Sequence, residues 1–253
     1  MYYKLCSFLF IFLLGCQVGC QTEQAAKNIS GNDNKQITET KVSEEDIKQM
    51  FIDSGLGEGD GNLEKLMALP RERVVAVVQK IKTDGVAKES YEGESQSLKI
   101  KSAYFLWKLG VDTESNEKFI VDAAKDKDIS LKFDALGYLG IIASKGKKEY
   151  LPMIFKSAPQ ADGAYAMDLL GFFVDELQNS PKIFLQYLSG ESLQVRKRVY
   201  KLVSLADELS GEGTLEEIKQ KVEKLKEDKA LKNIAGEFLR EVGKRRLQFV
   251  NPT

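Results

Sequence analysis

The chain has 253 residues, 43% of them hydrophobic and 30% charged, enough for one or two ordinary domains or one repeat domain with a buried core. Lys and Arg number 37 against 38 Asp and Glu, and the net charge of −1 argues against a basic nucleic-acid binder. No His is present, which removes the usual general base and the commonest metal ligand. The three cysteines, Cys6, Cys16 and Cys20, all lie in the first 20 residues, so the rest of the chain holds no thiol, disulfide or thiolate metal site. No catalytic motif, metal site or cofactor is expected, and the reading is of binding and tethering rather than catalysis.

At the start, Lys4 precedes the ten-residue apolar run Leu5 to Leu14. A membrane-spanning helix needs about 20 such residues. The run has the length of a signal-peptide core instead. Leu13-Leu14-Gly15-Cys16 then resembles the lipobox of bacterial lipoproteins. The resemblance implies a signal peptide over 1–15, cleavage before Cys16, and acyl chains such as palmitate on Cys16. Such chains hold a protein on a membrane, since each buried methylene contributes about 0.8 kcal/mol. Cys20 fits less well, because Gln17 stands where Leu13 stands for Cys16. A Cys16–Cys20 disulfide would close a tight loop, and a secretory peptide cut elsewhere is the other alternative. In the family's sorting rule an Asp after the cysteine retains the protein at the inner membrane. Gln17 occupies that place, so the resemblance implies the outer membrane of a cell envelope.

Gln17 to Thr40 is rich in Gln, Asn, Thr, Ser and Gly, with few large apolar residues. Such a stretch cannot offset the entropy of ordering, and 16–42 reads as a flexible linker behind the lipidated cysteine. Its mean reach is about 25–30 Å. Order is expected over 43–253. Ser43-Glu44-Glu45-Asp46 forms a helix start, followed by a stripe of Ile47, Met50 and Phe51. Ser54 to Asn62 reads as a loop. Its glycines and acids fail the calcium-loop pattern, because positions three and five from Asp53 are Gly55 and Gly57.

From Arg71 onward the chain shows only helical patterns. Val74, Val75, Val77, Val78 and Ile81 follow Pro70, and Leu98 to Leu109 is ended by Gly110. Phe133 to Gly140 aligns with Ala164 to Gly171, placing Leu139 and Leu170 31 residues apart; Ala103 to Ala135 and Leu170 to Leu202 are steps of 32. First helices are expected over Asn116–Lys125, Glu149–Ser157 and Pro181–Leu188. A period in the low thirties marks stacked helix pairs, which bury a continuous core only together. Phe119 to Gly146 and Phe184 to Leu209 resemble HEAT-like repeats, with Asp126, Asp128 and Lys132, or Val195 and Arg196, near the turn. The resemblance implies an all-α, α-solenoid (HEAT-like or ARM-like) fold. The intervening unit is degenerate, with Asp162 and Gly163 in place of the basic residue. Thr214-Leu215-Glu216-Glu217 reads as a capping box. It opens two C-terminal capping helices, the second over Ala230–Leu247 and bearing Lys244-Arg245-Arg246. Gly137, Gly140 and Gly171 inside helices each cost about 1 kcal/mol relative to Ala, which close helix approach would explain.

In HEAT-like arrays the second helices commonly hold partners. Here those helices carry Tyr104, Lys108, Tyr138, Asp168, Asp175, Arg198 and Lys201 as candidate exposed residues. The expected function is a membrane-anchored protein-binding scaffold with another protein as partner and Cys16 as lipid attachment site. The alternatives are a structural subunit of an envelope complex and an envelope hydrolase using carboxylates such as Asp168 and Asp175.

Overall fold

A computed structural model describes residues 42–56, 59–85 and 92–250, with side chains from residue 94 to 244 in the last stretch. Residues 1–41, with the signal peptide, Cys16 and most of the linker, lie outside the described residues. The compact unit begins at Val42. Among the described residues the fold is all-helical, without strands. No described helix is long and apolar enough to cross a membrane.

Helix α1 (Glu44–Asp53) starts in a reciprocal cap. The Asp46 amide donates to the Ser43 hydroxyl, and the Asp46 carboxylate accepts from the Ser43 amide at 2.9 Å. Ile47 and Phe51 are buried beneath it. Helix α2 (Gly61–Ala68) occupies sequence that patterning left without a helix. Its first-turn amides on Asn62 and Leu63 donate to the Asp60 carboxylate at 2.8 and 3.0 Å. Only Leu63 and Leu66 are buried, too short a stripe to stand out as a period. Helix α3 (Arg71–Asp84) buries Val74, Val77, Val78 and Ile81, one full apolar stripe.

Helices α4 (Glu92–Lys108), α5 (Thr113–Ala123), α6 (Ile129–Ser144), α7 (Leu151–Ser157), α8 (Gly163–Asn179), α9 (Pro181–Ser189) and α10 (Leu193–Val203) follow. The first helices thus run over Thr113–Ala123 and Leu151–Ser157 rather than from Asn116 and Glu149; a 3-10 turn over Lys148–Tyr150 precedes α7. Asp128 and Ser192 cap α6 and α10 with their side chains. Helices α11 (Ala206–Ser210), α12 (Thr214–Lys224) and α13 (Lys232–Val250) close the chain.

The expected capping box at Thr214 does not form. Gly213 is the cap residue at φ 94°, and the Thr214 hydroxyl donates backwards to the Ser210 carbonyl. The Leu215 amide instead donates to Asp207 on α11 at 2.8 Å. The short α11, which periodicity does not reveal, supplies that acceptor.

Helix α3 packs on α4, α4 on α5, and α5 on α6. Helices α4, α6, α8 and α10 also pack one on the next, and α7, α9 and α12 do likewise. Phe155, Phe173 and Phe184 join α7, α8 and α9 through ring centroids 4.9 to 5.8 Å apart. Helix α8 further contacts α11 and α12, and α13 lies on α10 and α12.

The step from α6 to α8 differs from the 31 residues of the sequence alignment. The residues before the two helices, Asp128 and Asp162, are 34 apart. Of the buried residues of α6, Ala135, Leu136, Leu139, Gly140, Ile142 and Ala143, moved by 34, fall on Leu169, Leu170, Phe173, Val174, Glu176 and Leu177, all buried, and Phe133 falls on the exposed Met167. Moved by 31, only Leu139, Ile142 and Ala143 reach buried positions, Leu170, Phe173 and Val174. Leu139-Gly140 and Leu170-Gly171 match in composition but not in burial, since Gly140 is buried and Gly171 only partly so. Burial is decided by the whole apolar face.

Candidate interaction face

The 34-residue step places like residues on neighbouring helices. Tyr104, Tyr138 and Phe172 follow one another on α4, α6 and α8, and Asp134 and Asp168 do so on α6 and α8. Tyr138 lies four residues after Asp134, and Phe172 four after Asp168, so each pair shares one helix face. The resulting strip of aromatics and carboxylates runs across α4, α6 and α8.

The rings of Tyr104 and Tyr138 stack at 4.6 Å and 19°. The Trp107 ring lies 6.1 Å from Tyr104 on the same helix. The Phe172 ring sits against Gly140 of α6, 3.3 Å from where a Cβ would be. Among the described residues no buried polar side-chain atom lacks a hydrogen-bond partner. The hydroxyls of Tyr104 and Tyr138 bond to no described residue, and Tyr104 as a whole is only 2% exposed. Burial raises the Tyr104 hydroxyl to about 12. It raises Tyr138 further, helped by the Asp134 carboxylate and by Tyr104.

Asp134 accepts from the Ser97 hydroxyl at 2.6 Å. Burial nevertheless raises its pKa, and Asp128 adds to the rise. Burial also raises Asp168, and raises Asp175 with help from Glu176. No cation forms an ion pair with these three carboxylates among the described residues, and none of the three contributes to another's shift. Asp168 and Asp175 are seven residues apart on α8, on one helix face and about 10 Å apart along its axis.

Other acids are firmly paired. Glu176, 3% exposed, accepts from Lys148 at 2.7 Å and from Ser144 at 3.1 Å. Burial pushes Glu117 up, but Tyr150, Lys147 and Trp107 all donate to it and hold it below its ordinary value. These contacts tie α4, α5 and the turn before α7 together.

The sequence-derived candidates separate accordingly. Tyr104 is buried rather than exposed, because its ring fills the α4–α6 contact. Lys108 is partly buried and donates to the Leu56 carbonyl at 3.3 Å, holding the chain after α1. Arg198 donates to the carbonyls of Ala158 and Ala161 at 3.2 and 2.6 Å, closing the turn before α8. Tyr138 and Asp175 are partly exposed, and Asp168 and Lys201 are exposed. Cys16 lies outside the described residues. Sequence reasoning missed Ser97, Asp134, Trp107 and Phe172. The 34-residue recurrence finds Asp134, through Asp168, and Phe172, through Tyr138; Ser97 and Trp107 have no such counterpart, with Leu131 and Ile141 at the matching positions.

Among the described residues no group of three acids, cysteines or histidines could hold a metal ion. Three comparisons return nothing: no protein-family description, no curated protein and no solved structure matches the chain.

Proposed function

We propose that this chain is a lipid-anchored scaffold of the cell envelope, in which a HEAT-like α-solenoid offers its second-helix layer to another protein. The observation that carries the reading is the succession α4, α6, α8 and α10, each packed on the next, with α7, α9 and α12 forming a second succession. Stacking of alternate helices is what a repeat array requires. The first layer also carries the aromatics Tyr138 and Phe172, partly exposed, and the carboxylates Asp134, Asp168 and Asp175, which form no ion pair among the described residues. The Leu13-Leu14-Gly15-Cys16 motif supports anchoring through acyl chains on Cys16, and Gln17 supports the outer membrane.

The anchor is tested by Cys16→Ala. The scaffold reading expects the variant in the soluble fraction and the unaltered chain in the membrane fraction. A variant that stays in the membrane contradicts it. Affinity capture from detergent-solubilised membranes then separates a transient partner from the stable stoichiometric complex expected of a structural subunit.

A further inference from the structure

Charge divides between two helices that pack together, α8 and α10. Helix α8 carries Asp168, Asp175 and Glu176 and no Lys or Arg, while α10 carries Arg196, Lys197, Arg198 and Lys201 and no Asp or Glu. Three of these groups are spent inside the molecule. Lys148 donates to Glu176, Arg196 forks onto Glu237 at 3.0 and 3.3 Å, and Arg198 donates to the carbonyls of Ala158 and Ala161. Asp168, Lys197 and Lys201 are exposed and Asp175 partly so, and none of the four forms an ion pair among the described residues. The two carboxylates lie seven residues apart and the two amines four, so each pair shares one face of its helix. On α8 that face is opposite the buried Phe173, Val174 and Leu177, and on α10 it is opposite the buried Val195, Val199 and Val203. Exposed Met167 and Leu193 stand on the same two helices, and exposed Leu209 on α11 lies 3.6 Å from where a Cβ of Gly171 on α8 would be. Exposed apolar side chains gathered on neighbouring elements mark association surfaces.

We propose that the α8–α10 face binds a second copy of this chain, with α8 of each copy lying against α10 of the other. The face carries its own complement, free carboxylates on one helix and free ammonium groups on the next. A two-fold axis along the helices and between them sets each copy's lysines on the other's carboxylates, and such a contact closes on two copies. An axis across the helices sets carboxylate on carboxylate and lysine on lysine, so the charges select the first arrangement. Met167, Leu193 and Leu209 supply apolar area beside the charges. The inference goes beyond the scaffold reading, since α4 and α6 stay open to another protein.

The test measures the mass of the detergent-solubilised full chain by sedimentation equilibrium at matched detergent density. The parent is expected as a dimer. Asp168→Lys, and separately the double variant Lys197→Glu with Lys201→Glu, should each weaken self-association at least about tenfold, because each sets like charges together. Mixed in equal amounts, the two variants should pair again, since each then meets opposite charge on both helices. Asp122→Lys on the exposed α5 position should leave the parent's dimer unchanged. Circular dichroism confirms that each variant is folded. A monomeric parent, unchanged association in either variant, or a mixture that stays monomeric overturns the inference. Each of these outcomes leaves the scaffold reading in place, because that reading is tested by Cys16→Ala and by affinity capture. A monomeric parent that captures a different protein through Asp168 also overturns the inference and assigns this face to that protein.

Discussion

The rings of Tyr104 and Tyr138 lie 4.6 Å apart and 19° from parallel, on two helices whose matching positions are 34 residues apart. Tyr104 is almost wholly covered, and Tyr138 only partly so. The pair therefore joins the core to the strip of aromatics and carboxylates on α4, α6 and α8. Tyr104→Ala should destabilise the fold by about 3–5 kcal/mol, as truncation of buried aromatics does. Tyr104→Phe keeps the ring and loses a hydroxyl that no described residue holds, so it should cost less than about 1 kcal/mol. Urea unfolding of the two variants measures the difference. Equal losses would show that the hydroxyl, not the ring, matters for folding.

Asp134 predicts a pH-dependent cost. A carboxylate whose pKa is raised in the folded state costs stability once the pH exceeds its unfolded value near 4. The cost is absent well below that pH and full above the folded value. Asp134→Asn should therefore be more stable than the parent at pH 7, and the gain should vanish as the pH falls below 4. Paired unfolding curves across that range measure it. A variant less stable at pH 7 would mean that Asp134 is held by an interaction its geometry does not reveal.

Lys101 predicts the opposite kind of pH dependence. Its amine donates to the carbonyls of Ile52 and Ser54 and lies 5.0 Å from the Phe51 ring centre. Burial lowers it to about 8, against the attraction of Asp60 and Asp53. Between pH 8 and the unfolded value near 10.4 the unfolded chain holds more protons, so this group's contribution becomes more favourable as the pH rises. The stability of the parent relative to Lys101→Met should thus climb between pH 8 and 10, by up to about 1.4 kcal/mol per pH unit. A flat difference would show that the amine is better hydrated than its burial implies.

The helix glycines divide. Nothing lies within 4 Å of a Cβ built on Gly137, so Gly137→Ala should stabilise by about 0.5–1 kcal/mol. A Cβ on Gly140 would meet the Phe172 ring at 3.3 Å, so Gly140→Ala should gain less or lose. In a Phe172→Ala background the deficit should disappear. Thermal unfolding of the four variants forms the cycle. A Gly140→Ala penalty that persists without Phe172 would place its cause elsewhere. Gly171 meets only Leu209 at 3.6 Å, an ordinary contact, so close helix approach explains Gly140 and not all three.

Much of this helical fold is legible in the sequence, because long apolar stripes such as Val74, Val77, Val78 and Ile81 carry a strong period. Short elements are not. Helix α2 buries two apolar residues and α11 only Ala206, too few to rise above chance. The repeat is visible, but its α6–α8 register is not, since Leu139-Gly140 and Leu170-Gly171 match by composition while the buried faces match three residues later. The strip of aromatics and carboxylates depends on that register. Arg198 and Lys108 look like surface cations in sequence, and only the fold reveals the backbone carbonyls they cap.

The central claim is that the α4–α6–α8 layer of an anchored protein meets a protein partner. Its most direct test places a photo-crosslinking amino acid at Asp168, exposed on α8, or at Lys118, exposed on α5, in the full chain in its native cells. Light should join the Asp168 position to one discrete protein and leave the Lys118 position unjoined. The same product from both positions, or none from Asp168, would contradict the account.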